Sequence, residues 1–390
     1  MPLRFLTAGE SHGPSLSVIV EGLPAGVAID RERVDRELRR RMGGYGRGGR
    51  MKIESDRVEW TGGVRFGATL GSPVAMRIDN RDHANWTDSM PPFGDAPDGA
   101  AARRVTRPRP GHADLAGALK HGTHDARDIL ERSSARETAS RTAAGALAKE
   151  LLYAVGIEVT SATVAVGDVE AADVRDEDFD ALLALPDDAA FRVLDDGTMR
   201  AMVEAVDGAR EQRDSIGGVF EVLARGVPVG LGSHVHWDRR LDGRLGGALM
   251  SIQAVKACSV GEGLDGAAMT GSQLHDPIRY EAGRGFVRPS NNAGGIEGGI
   301  SNGATVRCKG WLKPLASLPQ PLESADLVSK ETFEAVRERT DTVPIVAAGV
   351  VGEAMVAWVL ADELLRKFGG DSLDELTGRV DAWRRQLLDY

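Results

Sequence analysis

The most apolar run of the chain, residues 343–361, limits what it can fold into more than any other stretch. A helix that is apolar on all sides has to be enclosed by other elements. Glu353, with Gly349 and Gly352 nearby, argues against a membrane span, so the run reads as a buried core helix. With 390 residues the chain can form one large domain or two or three ordinary ones, and it has the length to surround such a helix. Just upstream lies Arg339-Thr-Asp-Thr-Val-Pro344, where Asp341 or Thr342 reads as the helix N-cap and Pro344 as a first-turn residue.

Hydrophobic residues make up 42% of the chain and charged residues 27%, the proportions of a soluble globular protein. A net charge of −10 argues against general nucleic-acid or anionic-membrane binding. The charge is uneven, however. Arg39 to Lys52 holds six basic residues and no acid, whereas 169–196 is strongly acidic. A basic cluster inside an acidic chain points to a focused pocket for a small anion. Cys258 and Cys308 are far apart and fit no metal-ligand spacing, so neither a metal site nor a disulfide framework is expected, and a reducing cytoplasm is. No signal-peptide pattern precedes Gly9, where candidate chemistry begins.

Strands are expected at 3–6 and 16–20, with Gly9-Glu-Ser-His-Gly13 between them. Its glycines let the backbone approach a ligand, and Ser11 and His12 offer a hydroxyl and a titratable donor; the same residues also read as a solvated connecting loop. A helix follows at 30–42, capped by Asp30, with Val34, Leu38 and Met42 on one face. It runs into Arg39-Arg-Arg-Met-Gly-Gly-Tyr-Gly-Arg-Gly-Gly-Arg50, which can wrap an anion with backbone N–H groups and guanidinium forks. The segment lacks the ending of a nucleotide P-loop and the preceding strand of a Rossmann fingerprint. An Arg/Gly-rich RNA-binding segment is the alternative.

Strands at 58–60 and 74–78 and a polar loop at 80–99 lead to Arg107-Pro-Arg-Pro-Gly-His112. Proline holds Arg107 and Arg109 on a stiff extended track, and His112 and Asp114 open a helix, so cations and an imidazole meet near a helix N-terminus. A basic surface loop fits the same residues. Residues 115–155 read as two helices broken near Gly122. In the second, Arg132 and Arg136 are four apart and share a face, where ordinary bridges to Asp128 or Glu137 are the alternative to a ligand role. Beyond lie a strand at 159–166, peripheral acidic helices, paired strands at 217–222 and 227–230, and a helix at 241–257 whose small face, Gly247, Ala248 and Ser251, permits close packing. The stretch Asn291-Asn-Ala-Gly-Gly-Ile-Glu-Gly-Gly-Ile-Ser-Asn-Gly303 cannot be ordinary helix or strand. Its glycines and asparagines expose backbone donors suited to a flat polar ring or a phosphate, and a flexible loop is the alternative. Trp311 to Ser317 sets Lys313 before a proline-fixed turn.

In their order, Gly9-Glu-Ser-His-Gly13, Tyr45-Gly-Arg-Gly48, Arg107-Pro-Arg-Pro-Gly-His112, Glu131-Arg-Ser-Ser-Ala-Arg-Glu137, Gly294-Gly-Ile-Glu-Gly-Gly299, Lys313-Pro314 and Arg339-Thr-Asp341 resemble the chorismate synthase family over essentially the whole chain. The resemblance implies an α+β fold, a single-domain β-α-β sandwich over 1–390 with core helices between antiparallel sheets, and a homotetramer. It implies conversion of 5-enolpyruvylshikimate 3-phosphate to chorismate and phosphate by anti 1,4-elimination, with reduced FMN and no net redox change. Substrate carboxylates and phosphates account for the arginines, whose forks bind both groups bidentately.

By the same resemblance His12 protonates the leaving phosphate, His112 serves the flavin N1 region, and Asp341 relays the proton of flavin N5. Arg41, Arg47, Arg50, Arg109, Arg136 and Arg339 form the anion cradle, with Ser11 as a further donor. Flavin contacts fall to Arg132, Ser133, Ser134, Gln253, Ala254, Gly298, Lys313, Pro314, Leu315, Ala316, Ser317 and Arg339. Arg41 and Arg47 are also linked with NADP in the family, though here they read as substrate-facing. One departure stands out: Leu315 and Ala316 follow Pro314 where the family usually has hydroxyl-bearing residues. With no flavin-reductase domain in the chain, an external reductase or reductant would supply reduced FMN, with NADPH as the indirect source. Another FMN-dependent oxidoreductase is the second reading, although no nicotinamide-binding fold supports it.

Overall fold

A computed structural model describes residues 3–49, 53–95 and 103–390, so Arg50 lies outside the described residues. The apolar run forms the helix Ile345–Phe368, buried along almost its whole length. It is long and apolar enough to cross a membrane, yet all of its most apolar window is enclosed by the rest of the chain. One side lies on strands Glu158–Val166 and Gly218–Arg225, and the other on helices Arg31–Met42 and Thr138–Tyr153. Gly145 makes the helix contact possible, because a Cβ there would sit 2.3 Å from that of Ala354.

Two antiparallel sheets close this helical layer. The first has the order Arg4–Ala8, Ser15–Glu21, Val74–Asp79, Glu59–Gly62, and Thr138–Tyr153 packs on its inner face. Alternation is clean: Leu16, Val18 and Val20 point inward while Ser17 and Ile19 face out. The second sheet has the order Val255–Val260, Val306–Leu312, Gly218–Arg225, Glu158–Val166, Val169–Glu170. One hydrophobic cluster runs through both sheets and the helices between them. The architecture is thus the expected α+β sandwich of core helices between antiparallel sheets.

Glu353 sits fully buried in the middle of the core helix. Arg40 grips it bidentately at 2.7 and 2.8 Å, Lys149 reaches it at 2.6 Å, and the Ser161 hydroxyl donates at 2.6 Å. Helices Arg31–Met42 and Thr138–Tyr153 and the second sheet therefore converge on one carboxylate.

Several local expectations give way to tertiary structure. The helix expected at 241–257 ends at Met250, and the chain turns through Ala254, at φ +67°, into strand Val255–Val260. Pairing with Val306–Leu312 outweighs helix propensity there. Leu241, Leu245 and Leu249 form the buried face of this helix, while Gly247 is exposed. Residues 227–230 form no strand; Pro228 lacks an N–H, and the segment instead bonds to Ser301 through Gly230 N at 2.9 Å and the Pro228 carbonyl at 2.7 Å. Residues 115–155 divide at Gly122, as expected, and again at Ser134, whose ψ of 140° breaks the helical path. Arg132 and Arg136 consequently do not share a helical face. Neither Asp341 nor Thr342 caps the core helix; Pro344 occupies that position, and Asp341 bonds elsewhere.

Burial alone would raise the Glu353 carboxyl, but the Arg40 and Lys149 charges outweigh it and hold it well below the usual carboxylate range. A carboxyl depressed in the folded state stabilises above its unfolded value, and the contribution is lost as pH falls through the window beneath that value. Urea stability is expected to decline as pH drops below about 4, the ordinary glutamate value. Glu353→Gln should lower neutral-pH stability by about 3 kcal/mol and flatten that acid limb. An unchanged urea midpoint at pH 7 would contradict this account.

Candidate active site

The segment leading into the core helix forms part of the wall of a cavity of about 620 Å³. Loops far apart in sequence supply the rest: Ser11 and His12, the glycine-rich segment after Arg31–Met42, residues 109–113, the break around Ser134, the turn at 252–256, and 313–317. The break has a local cause. Ser134 Oγ accepts from Arg136 N at 3.2 Å and from Ser11 Oγ at 3.1 Å, which satisfies the interrupted chain and ties it to the first sheet.

Both expected histidines reach the cavity, each with its Nδ1 on a carboxylate. His12 is nearly buried, its Nδ1 is 2.8 Å from Glu131 Oε1, and its ring stacks on Trp86 with centroids 3.8 Å apart. His112 is more open, with Nδ1 2.6 Å from Asp114 Oδ1. Burial would raise the Asp114 carboxyl, but hydrogen bonds from His112 and Arg109 prevail and hold it well below the usual range. Asp341 is fixed from the other side: its Oδ1 accepts from Gly48 N at 2.6 Å, and its Oδ2 lies 3.2 Å from Arg47 Nε.

The arginines are held before any ligand arrives. Arg109 is clamped by Asp114 at 2.8 and 3.0 Å and donates to Ser317 Oγ at 2.7 Å. Arg136 grips Asp56 at 2.7 Å and Asn80 at 2.8 Å. Arg41 donates to Thr138 Oγ1 and to the Ala135 carbonyl, both at 2.9 Å. Arg339 pairs with Asp82 and stays the most open of the lining guanidiniums.

Of the expected residues, Ser11, His12, Arg41, Arg47, Arg109, His112, Ser133, Ser134, Arg136, Gln253, Ala254, Lys313, Leu315, Ala316, Ser317, Arg339 and Asp341 line this one cavity. Arg132 does not; it turns to the Thr7 carbonyl at 2.8 Å and the Gly9 carbonyl at 3.3 Å. Pro314 and Gly298 are not among the lining residues either, and Gly298 sits in the two-residue turn between Ile296–Glu297 and Ile300–Ser301.

Sequence reasoning passed over Asp114, Glu131, Asp56, Gly48, Lys256 and Glu338. Asp114 and Glu131 lay inside motifs already singled out. Lys256 carried no sequence signal, because a β-bulge between Val255 and Ala257 is what aims it at the cavity.

A family profile described as chorismate synthase matches residues 3–365. The chain belongs to the chorismate synthase family. A chorismate synthase of Desulforudis audaxviator is 54% identical over 385 residues, covering 99% of this chain and 97% of that one. That of Moorella thermoacetica is 54% identical over 388 residues, covering 99% and 100%. A crystal structure of a chorismate synthase superposes with a TM-score of 0.80 at 38% identity, covering 100% of this chain and 99% of that one.

Chorismate synthases work with reduced flavin, and the cavity wall bears on whether this chain can hold one. Among the described residues, Ser133 Oγ and Gln253 Oε1 are buried on that wall without a hydrogen-bond partner, a costly state unless a ligand completes it. Lys256 and Lys313 add cations, and burial followed by the Lys256 charge pushes the Lys313 ammonium down. Leu130, Ile252 and Val255 supply buried apolar surface. Polar orphans, cations and apolar wall together fit an anionic, largely flat group.

Gly48 is where the site's geometry is least tolerant. A Cβ there would lie 2.4 Å from the Thr340 carbonyl oxygen and 3.2 Å from Asp341 Oδ1. Gly48→Ala should displace the 339–341 segment and lower chorismate formation by about 10²-fold, the scale set by ångström misplacement. Thermal melting should barely move. Wild-type turnover in this variant would show that the close approach is dispensable.

Proposed function

We propose that this chorismate synthase takes 5-enolpyruvylshikimate 3-phosphate to chorismate and phosphate by anti 1,4-elimination, with FMN as its reduced flavin. The observation that carries the reading is one cavity that gathers several fixed guanidiniums, two lysines and two imidazoles, each imidazole with one nitrogen on a carboxylate. A substrate with two carboxylates and a phosphate needs that many cations, and clamped arginines meet it without reorganising.

His12 moves a proton from Nε2 to the departing phosphate oxygen, and His112 would hold one at Nε2 to serve the N1 region of a bound flavin. Asp341 accepts and passes on a proton at its carboxylate, positioned by Gly48 N and Arg47. Arg41, Arg47, Arg109, Arg136 and Arg339 orient the substrate, and Ser11 adds a donor. Ser133, Ser134, Gln253, Ala254 and 313–317 hold the flavin, where backbone groups replace the hydroxyl that Ala316 lacks. A reduced flavin held by these residues would lend electron density to the allylic system and take it back, so the hydrogen need not leave to a simple base. Leu130, Ile252 and Val255 keep water from this chemistry. Arg50, Arg132, Pro314 and Gly298 remain proposed contacts, and Arg41 and Arg47 face substrate in preference to NADP.

The shared core cluster supports a single domain, and reduced FMN comes from an external reductase drawing on NADPH. A cytoplasmic homotetramer acting on a small molecule, with no nucleic-acid or membrane partner, completes the reading.

Anaerobic incubation with the substrate and reduced FMN tests it. Chorismate and phosphate should form in equal amounts while the flavin absorbance ends where it began. Flavin oxidised in step with product would favour an oxidoreductase, and absence of phosphate release would overturn elimination. His12→Ala and His112→Ala should each lower turnover by about 10²-fold or more. Asp341→Ala should impair turnover in a folded protein. A wild-type rate in any of the three removes that residue from the mechanism.

A further inference from the structure

Within the motif 131–137, Glu131 has no role in the reading above, yet it bonds to the Ser11–His12 segment through both its side chain and its backbone. Its Oε1 lies 2.8 Å from His12 Nδ1, its Oε2 accepts from the His12 backbone N–H at 2.8 Å, and its own carbonyl accepts from Ser11 N at 2.9 Å. The side chain is buried, and Arg127 secures it at 3.4 Å while also reaching Glu338 at 2.9 Å. Trp86 stacks on one face of the imidazole, and Asp82, paired with Arg339, lies 3.9 Å from Nε2. His83 Nδ1 is 2.9 Å from the His12 carbonyl, and Arg103 and Arg127 lie over the Trp86 ring.

We propose that Glu131 is the positioning residue for His12: its carboxylate keeps a hydrogen on Nδ1, which leaves Nε2 as the nitrogen that serves the cavity. The proposal rests on His12 acting at the leaving phosphate. A histidine's working nitrogen is set by the hydrogen bond at the other one. A carboxylate has no hydrogen to give, so it can only accept from Nδ1–H. Its second oxygen is occupied by the His12 backbone N–H, which fixes the carboxylate in the plane where this holds. Glu131→Gln tests the logic with little change in shape. The His12 backbone N–H, at 2.8 Å, can only donate and lies closer than Arg127 at 3.4 Å, so the amide oxygen would stay on it and the NH₂ would then face Nδ1. That arrangement removes the hydrogen from Nδ1 and transfers it to Nε2 in the neutral ring.

The experiment uses the full-length protein labelled with ¹⁵N-histidine and read by long-range ¹H–¹⁵N correlation, with the His12 signal identified by its loss in His12→Ala. In the wild type, Nδ1 should carry hydrogen at every pH measured, whether the ring is neutral or charged. An unprotonated Nδ1 in the wild type overturns the proposal and needs no variant. In Glu131→Gln the neutral ring should carry its hydrogen on Nε2, and kcat should fall by about 10²-fold with KM changed far less. Glu131→Asp keeps the charge but is one methylene too short to span both bonds, and should fall between wild type and Gln. A Gln variant that keeps Nδ1–H and wild-type kcat also overturns it. The nitrogen readout requires neither substrate nor flavin, so failure of the elimination chemistry with Nδ1–H retained counts against the reaction assignment and not against the role of Glu131.

Discussion

The fold depends on a carboxylate placed where an isolated charge could not survive. Glu353 is fully buried inside an otherwise apolar helix, and desolvating it costs several kcal/mol unless partners replace the lost water. Arg40, Lys149 and Ser161 do so, and they come from two helices and a sheet strand. Any slip of the core helix by one residue would move Glu353 away from all three. Close packing resists such a slip too, since Ala354 sits against Gly145 with no room for a side chain there. The Glu353 bonds and this close contact together set the register of the helical layer, and hydrophobic burial supplies most of its stability.

That register reaches the active site through one peptide bond. Arg40 holds Glu353, and the next residue, Arg41, lines the cavity and bonds to Thr138 Oγ1 and the Ala135 carbonyl at the start of the neighbouring core helix. At the other end, the core helix continues back into Asp341, whose carboxylate meets Gly48 N in the loop that follows Arg41. Two sides of the pocket are thus held by the same pair of helices. Fixing arginines and carboxylates in this way lowers the reorganisation needed when an anionic substrate arrives, which is where preorganised electrostatics gains over bulk water.

What could be read from the sequence follows the range over which each feature is determined. Asp30 as an N-cap is a local matter, and its Oδ1 accepts from Glu32 N and Arg33 N as a cap should. The alternation of Leu16, Val18 and Val20 and the stop at Gly122 are local as well. The core helix was legible because an all-apolar run admits few environments. By contrast, composition within Arg132-Ser-Ser-Ala-Arg136 does not announce a break; Ser134 leaves the helical path where its hydroxyl accepts both from Arg136 N and from Ser11, far off in sequence. Likewise 241–257 has helix-forming composition, and only pairing with the edge of Val306–Leu312 draws its last three residues, 255–257, into a strand. The resemblance located most of the cavity wall, but not the carboxylates that restrain it. Asp114, Glu131 and Asp56 act on other side chains, and their role exists only once those side chains are folded beside them.

The cations of the cavity are of two kinds, and the difference is energetic. Arg136, Arg109, Arg47 and Arg339 each stand against an aspartate, so an arriving anion adds to pairs that are already compensated. Lys313 has only the Pro314 carbonyl at 3.3 Å, and among the described residues no carboxylate pairs with it or with Lys256. Burial and the neighbouring ammonium both disfavour charge on Lys313, the reverse of what a paired cation experiences. An anion seated between these lysines removes that penalty as it binds, whereas at the arginine wall no such penalty exists to be removed. The lysines therefore meet an arriving anion by relief of that penalty, and the arginines meet it with forks already oriented.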